Sequence, residues 1–367
     1  MDNTDKKMKI LMIATLYEHY QWRRPPNTTE YSYEYKGIFR SLKEFKGGAL
    51  TVVPFWFDVA MIERGKDAMN KELLEVVEKE KPDLVLSYVG GHELTKETIK
   101  KITARAKTFY WTTDDSWRFD SVSKKYAPYY SWVETNRANL IQKYKALGCH
   151  PVLMHEGVQP DLHHPIPPNE KNIDVSFSGS FNVERGKTIA ALRKAGITVF
   201  VRGKGWEEGD MSFDEWIDLT QHSKITLILN PPAFSVGLKS IARLFFKRPE
   251  LGPHMGRMEL DVLNFFSNVR EWFQKLNLQV KGRHFQTLAC RTLGMTLYAD
   301  GMEQFYELGK EVVIYKDMND LIEKIRYYLA HDEEREAIAA AGYERTMRDH
   351  TMAKRLEQIF KTTGLNG

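Results

Sequence analysis

The chain has 367 residues, 42% of them apolar and 28% charged, with a formal net charge of +4. That length exceeds one ordinary hydrophobic core and predicts two domains of a soluble globular protein. Two cysteines, Cys149 and Cys290, exclude a disulfide framework and a thiolate metal site, and so mild a charge, spread over nearly equal acid and base, argues against a nucleic-acid partner.

In chain order, Lys9–Ala14 predicts a buried strand, entered directly from a charged N-terminus with no cleavage site, so no signal peptide is read. No run reaches the ~18 uncharged apolar residues of a membrane span, and a cytoplasmic location follows as the expectation. A helix is expected around Tyr35–Phe45, ended by Gly47-Gly48, then a strand at Leu50–Val53 and an amphipathic helix at Lys71–Lys79. Strand Leu84–Val89 opens into Gly90-Gly91. A helix over 93–106 leads to strand Thr108–Trp111, followed by Asp114-Asp115. Ser131–Thr135 reads as a strand and Asn139–Leu147 as a helix closed by Gly148. Such alternation implies a mostly parallel sheet, whose ligand edge lies at the carboxyl ends of its strands. Tyr17–His19, Gly90–Glu93, Asp114–Arg118 and Thr135-Asn136 should share that edge.

Glu156–Pro165 is polar and holds Gly157, Pro160 and Pro165, which marks a domain boundary. Strand Asp174–Ser178 then runs into Gly179-Ser180, with Asn182 as the expected N-cap of a helix that Gly196 closes. Val199–Val201 is a strand ending at Arg202-Gly203. Ser212 and Glu215 have the spacing of a capping box, and Ile225–Asn230 is a buried strand. Residues 231–280 interrupt the pattern as a helix-forming insertion. Within it, 237–248 is basic and amphipathic; it suits an anionic membrane surface, although packing on its own domain is the commoner use of such a helix.

The stretch 281–351 is the most informative. A basic turn, Lys281-Gly282-Arg283, precedes a segment ending in small residues and an apolar run, Met295–Tyr298. Gly309-Lys310-Glu311, the strand run Val312–Tyr315 and a helix opened by Asp317 follow. With Lys324-Ile325-Arg326-Tyr327-Tyr328-Leu329 and Ala341-Gly342-Tyr343-Glu344-Arg345, this run resembles the C-terminal half of the CgeB-like (spore maturation) glycosyltransferases, a GT-B family. In the first half, Asp114-Asp115-Ser116-Trp117-Arg118-Phe119 is similar to that family's Asp-Asp-x-Trp-Arg-Phe signature. The Gly157-Val158 linker resembles the hinge of many GT-B enzymes. The resemblance spans about Lys71 to Thr351, leaving 231–280 outside.

It implies an α/β GT-B fold: two Rossmann-like, doubly wound parallel-sheet domains facing a crevice. Residues 1–160 would form the acceptor-side domain. Residues 161–350 would bind the nucleotide sugar and carry the helical insertion 231–280, and a helix in 351–367 would pack back on the first domain. The function implied is transfer of a sugar from a nucleotide-sugar donor, UDP- or GDP-linked, to an acceptor that is a protein, a glycan or a surface polymer. No tightly bound cofactor or metal is expected, because helix N-termini and cationic side chains can stabilise a leaving diphosphate.

The residues themselves suggest roles. Lys281 and Arg283 suit a diphosphate, a point charge beside a bidentate fork; a solvated basic turn is the plainer reading. Gln286 stands where the family has a ribose-binding Glu, and Arg291 and Thr292 replace small residues. Gly179 and Ser180 precede a helix N-terminus, an anion-binding geometry. Arg202 and Gly203 begin a run, to Trp206, that resembles the family's Gly-x-Gly-Trp turn, which implies a wall of the base pocket, and Asn230 ends a strand facing the same edge. Asp115, Asp114 and His92 are candidate acceptor-side bases, with Glu93 and Glu18-His19 as rivals. No His or carboxylate cluster has metal-ligand spacing. Three alternatives stay open: a degenerate GT-B protein that binds nucleotide or glycan without turnover, a nucleotide-sugar epimerase, and a nucleic-acid-modifying transferase, the last disfavoured by charge.

Overall fold

The computed structural model describes residues 7–18, 30–112, 115–230, 238–247, 259–274 and 278–365. Contacts divide the chain into two compact units. One comprises Met1–His155, Phe234–Leu276 and Arg355–Gly367; the other comprises Glu156–Ala233 and Asn277–Lys354.

The first unit is built on a six-stranded sheet. Its strands are β1 (Met8–Ala14), β2 (Leu50–Trp56), β3 (Leu84–Tyr88), β4 (Lys107–Trp111), β5 (Trp132–Thr135) and β6 (Pro151–Leu153). They are ordered β2-β1-β3-β4-β5-β6, and every pairing is parallel. Residues Ile10 to Ala14 are fully buried, as expected of a strand covered on both faces. Pro54 is tolerated because β2 is an edge strand, where a missing N–H costs least. Thr95 caps the helix Lys96–Thr103 by accepting from the Thr98 N–H. That helix is shorter than the 93–106 expected, because Glu93 and Leu94 are buried in the preceding loop.

The second unit holds a five-stranded parallel sheet of β7 (Ile173–Ser178), β8 (Phe200–Arg202), β9 (Ser223–Ile228), β12 (Leu293–Leu297) and β13 (Val313–Tyr315). Its order is β13-β12-β9-β7-β8. Between β9 and β12 the chain leaves this unit and forms a two-residue antiparallel ladder, β10 (Phe246–Lys247) with β11 (Glu259–Leu260), and two helices, Leu238–Phe245 and Phe265–Gln274.

These helices correct one expectation. The segment interrupts the second unit in sequence, yet it groups with the first. Helix Phe265–Gln274 packs on the turns at 115–123, where Arg270 pairs with the buried Asp120 at 3.3 Å. The C-terminal helix Met352–Thr363 also packs largely in the first unit. Phe360 meets Phe45 edge-on, and Lys107 Nζ donates to the Thr363 carbonyl at 2.7 Å. No described helix is long and apolar enough to cross a membrane.

Both sheets start in the middle and wind outward. Counted from its own first strand, each has the order 2-1-3-4-5, with a sixth strand in the first unit. The switch point, where consecutive connections leave in opposite directions, lies between β1 and β3 in one unit and between β7 and β9 in the other. Ligands of such sheets bind at the carboxyl ends of the strands flanking that point.

Candidate functional site

A recess opens at the switch point of the second unit. Its floor is the carboxyl ends of β7 (Phe177, Ser178) and β9 (Leu227 to Asn230), and its walls include Arg185, Trp216, Lys281, Arg283 and Thr287. Three cationic side chains therefore line one concave surface, at the edge where the topology predicts a ligand.

Each cation is placed by a different device. Arg185 lies in the first turn of helix Val183–Lys194, which Asn182 caps by accepting from the Arg185 N–H at 2.9 Å. Its guanidinium donates to the carbonyls of Leu229 (3.1 Å) and Ser180 (2.7 Å) and lies over the Phe177 ring. Lys281 and Arg283 flank the start of helix Gly282–Ala289 and are exposed. Arg283 stacks on the buried Trp216, its guanidinium carbon 3.7 Å from the ring centroid. At Gly282 between them the Glu156 carboxylate comes close, its Oε2 2.7 Å from where a Cβ would sit.

His284 fixes the start of this helix. His284 Nδ1 lies 3.0 Å from the Lys281 N–H and 3.1 Å from the Lys281 carbonyl, and Nε2 lies 3.2 Å from Thr296 Oγ1. Burial lowers its pKa to about 4, and the ring is neutral at physiological pH.

Of the residues singled out in the sequence, Asn230, Lys281 and Arg283 meet in this recess. Asn230 also donates to the Gln279 carbonyl, which ties the end of β9 to the segment entering the basic turn. Gln286 is buried and is not among the lining side chains.

Gly179, Ser180, Arg202 and Gly203 form an adjacent pair of crossing loops. The Gly179 N–H donates to the Arg202 carbonyl at 3.0 Å. Gly203 has φ +138, and a Cβ there would lie 2.4 Å from the Gly179 oxygen, so only glycine allows the crossing. Arg202 is turned away, bound to the Asp210 carbonyl (2.6 Å) and Glu215 (3.6 Å). Trp206 Nε1 donates to the Gly179 carbonyl at 2.8 Å, so the turn's polar atoms serve the loop itself. Arg185, bound to Ser180, links this pair to the recess.

The first unit's edge is different. Asp115 is 1% exposed and accepts from the Thr135 hydroxyl (2.7 Å) and the Tyr144 hydroxyl (2.9 Å to both oxygens). Burial raises its pKa while bonds from Thr135, Ser123 and Tyr144 pull it down. The carboxylate is enclosed, and both of its oxygens accept hydrogen bonds within the fold. Glu93 is likewise buried, accepting from the N–H groups of Gly90 (3.1 Å) and Gly91 (2.7 Å). Glu18 accepts from the Tyr33 N–H at 3.1 Å. His92 is half-buried, and Asp114 and His19 lie outside the described residues. Among the described residues no group of three or more His, Cys, Asp or Glu could hold a metal ion.

Sequence reasoning missed Arg185, Trp216 and His284. Arg185 sits at the third helical position after an N-cap Asn, a place close to the strand end it serves. Trp216 belongs to the capping-box helix and is brought against Arg283 only by folding.

Comparison with known proteins follows this geometry. Residues 253–361 match the family described as glycosyl transferase-like, less than half of the chain. The match begins inside the segment 231–280, so the second half of that segment lies within the family's span. No curated protein matches. Among solved structures, HepE of Anabaena in complex with UDP aligns with TM-score 0.55 at 12% identity, covering 97% of this chain and 100% of its own. Sucrose-phosphate synthase of Thermosynechococcus elongatus aligns with TM-score 0.57 at 10% identity (97% and 98% covered). A glycosyltransferase of Rickettsia africae does so with TM-score 0.57 at 12% identity (98% and 100%). The chain therefore has the GT-B fold of glycosyltransferases, two Rossmann-like parallel-sheet units.

Proposed function

We propose that this chain is a glycosyltransferase of the CgeB-like branch, transferring a hexose from a nucleotide-sugar donor to a protein, glycan or surface polymer. One observation carries the reading: Arg185, Lys281 and Arg283 converge on a recess at the switch point of the C-terminal sheet. A leaving nucleoside diphosphate needs its charge neutralised as the glycosidic carbon departs, and pre-placed cations do that without reorganisation. Arg283 would grip the diphosphate, Lys281 would add a point charge, and Arg185 would contribute from the wall. These cations make a metal-independent reaction the simplest proposal. HepE has been seen with UDP and with UDP-glucose, which favours a uridine donor here over a guanosine one.

On the acceptor side we assign His92 as the candidate base, since it is half-exposed at the carboxyl end of β3. Asp115 would act by holding the strand ends together. Gln286 would support the start of the helix Gly282–Ala289 from its buried face. We place the enzyme in the cytoplasm, with residues 237–248 as a candidate peripheral contact with the membrane.

The test is donor-dependent nucleotide release across UDP-, GDP-, dTDP- and CDP-sugars, for the native chain and Arg283→Ala. Release with one donor, abolished by the substitution, supports the transferase and names the donor. Tight nucleotide binding without release from any donor would replace it with a binding protein. Turnover of the sugar without an acceptor would mark an epimerase.

A further inference from the structure

The strongest unexplained feature of the recess is the mount under Arg283. A free arginine loses much of its side-chain entropy whenever it must hold one position. Here the guanidinium carbon lies over the Trp216 ring, 3.7 Å from its centroid. Trp216 is itself fixed. It is 2% exposed and belongs to helix Phe213–Gln221, whose capping box joins Ser212 and Glu215. His163 meets the indole from the side (6.0 Å, 61°) and Phe213 packs next to it (5.9 Å). A guanidinium stacked by its face keeps its N–H donors at the edge of its own plane, and Arg283 lines the recess. Lys281, on the same helix start, is exposed.

We propose that Trp216 is a positioning residue that holds the Arg283 guanidinium flat at the recess, with its N–H edge set for a bidentate grip on a nucleoside diphosphate. The proposal rests on the nucleotide-binding reading above. It gives Trp216 an effect only through Arg283, and only for ligands with the second phosphate.

The experiment is a double-substitution cycle read by calorimetric titration with UDP and UMP, using the full chain. Arg283→Ala should weaken UDP by more than about tenfold and UMP much less, as befits loss of a charged hydrogen-bonding partner. Trp216→Leu should weaken UDP roughly fivefold in the native background and less than about twofold once Arg283 is alanine. Trp216→Phe, which keeps a ring face, should recover most of the loss. Arg283→Lys keeps the charge but cannot lie flat, and should lose about as much as Trp216→Leu; it tests the same contact should the leucine variant fail to fold. Equal losses for Trp216→Leu in both backgrounds, or Arg283→Lys binding UDP like the native chain, would overturn the proposal and leave nucleotide binding intact. No UDP binding by the native chain, with GDP also failing, would overturn the nucleotide reading and this proposal with it.

Discussion

In the first unit the loops at the carboxyl edge are tied by acids. Asp58 accepts from the Leu16 and Tyr17 N–H groups, Glu93 from Gly90 and Gly91, and Glu134 from the Thr112 N–H (3.1 Å) and hydroxyl (2.9 Å). In the second unit the corresponding edge is tied by a base: Arg185 donates to the carbonyls that end β9 and follow β7. The winding is the same in both sheets; the first unit's ties are mostly carboxylates, with Arg118 also donating to the Gly90 carbonyl at 2.9 Å, whereas Arg185 ties the second unit's edge. An edge whose N–H groups are taken by internal carboxylates cannot offer them to an anion. An edge whose carbonyls are taken by a guanidinium keeps a positive field in the recess. One winding can therefore serve as a polar scaffold in one half and as an anion site in the other. Residue chemistry, rather than topology, separates the two.

The largest expected effect tests the positive edge directly. Arg283→Ala should lower donor-dependent nucleotide release by at least about a hundredfold, because a desolvated charged contact in the transition state is lost; residual release within about tenfold would remove the second unit's edge from the chemistry.

The next effect separates the units by pH. His163 and His284, both in the second unit, are buried and have pKa values lowered to about 4. A histidine whose folded pKa is depressed gives full stability above its unfolded value, 6.5, and loses it as pH falls toward the folded value. Each could withdraw up to roughly 3 kcal/mol over that window. Asp58 and Asp115 of the first unit have pKa values raised by burial, so their contribution is full below 3.8 and is lost as pH rises through the folded value. Acidification from pH 7 to 5 should loosen the second unit first. Pulse proteolysis at the two pH values reads this from the cleavage sites, and cleavage moving into residues 30–112 at pH 5 would reverse the comparison.

Gly203→Ala sharpens the loop crossing beside the recess. Its Cβ would meet the Gly179 backbone at 2.4 Å in a conformation with φ +138, which should cost about 2 kcal/mol. Urea denaturation of the variant measures this, and an unchanged midpoint would show that the loops part freely.

The smallest effect concerns the acidic edge. Asp115→Asn keeps acceptor capacity for Thr135 and Tyr144 and should leave turnover within about twofold, whereas removing a general base costs on the order of a hundredfold. A loss of that larger size would restore Asp115 as a catalytic residue.

Much of this was written in local sequence. Strand runs such as Lys9–Ala14 and Asp174–Ser178, the Asn182 cap, the Ser212–Glu215 capping box and the Asp317 cap were all readable, because each depends on neighbours within four residues. Lys281 and Arg283 stood out through the resemblance of 281–351, because two cations beside a glycine are by themselves a common solvated turn. The fate of Asp115 was not readable. Its partners Thr135 and Tyr144 lie 20 and 29 residues away, and burial depends on where the sheet sets them. The segment 231–280 sat between two strands of one unit, so chain order assigned it there. Packing of helix Phe265–Gln274, with Arg270 on Asp120, joined it to the other.

The sequence by itself determined alternating strands and helices, their caps and a basic turn, since hydrophobic period and capping chemistry act over a few residues, and the resemblance implied two wound sheets. Only the tertiary structure decided that Arg185 and Arg283 share a recess, that Trp216 carries one of them, and that Asp115 is sealed. Those facts arise from contacts between residues far apart in the chain, which the closure of the fold alone brings within a few ångströms.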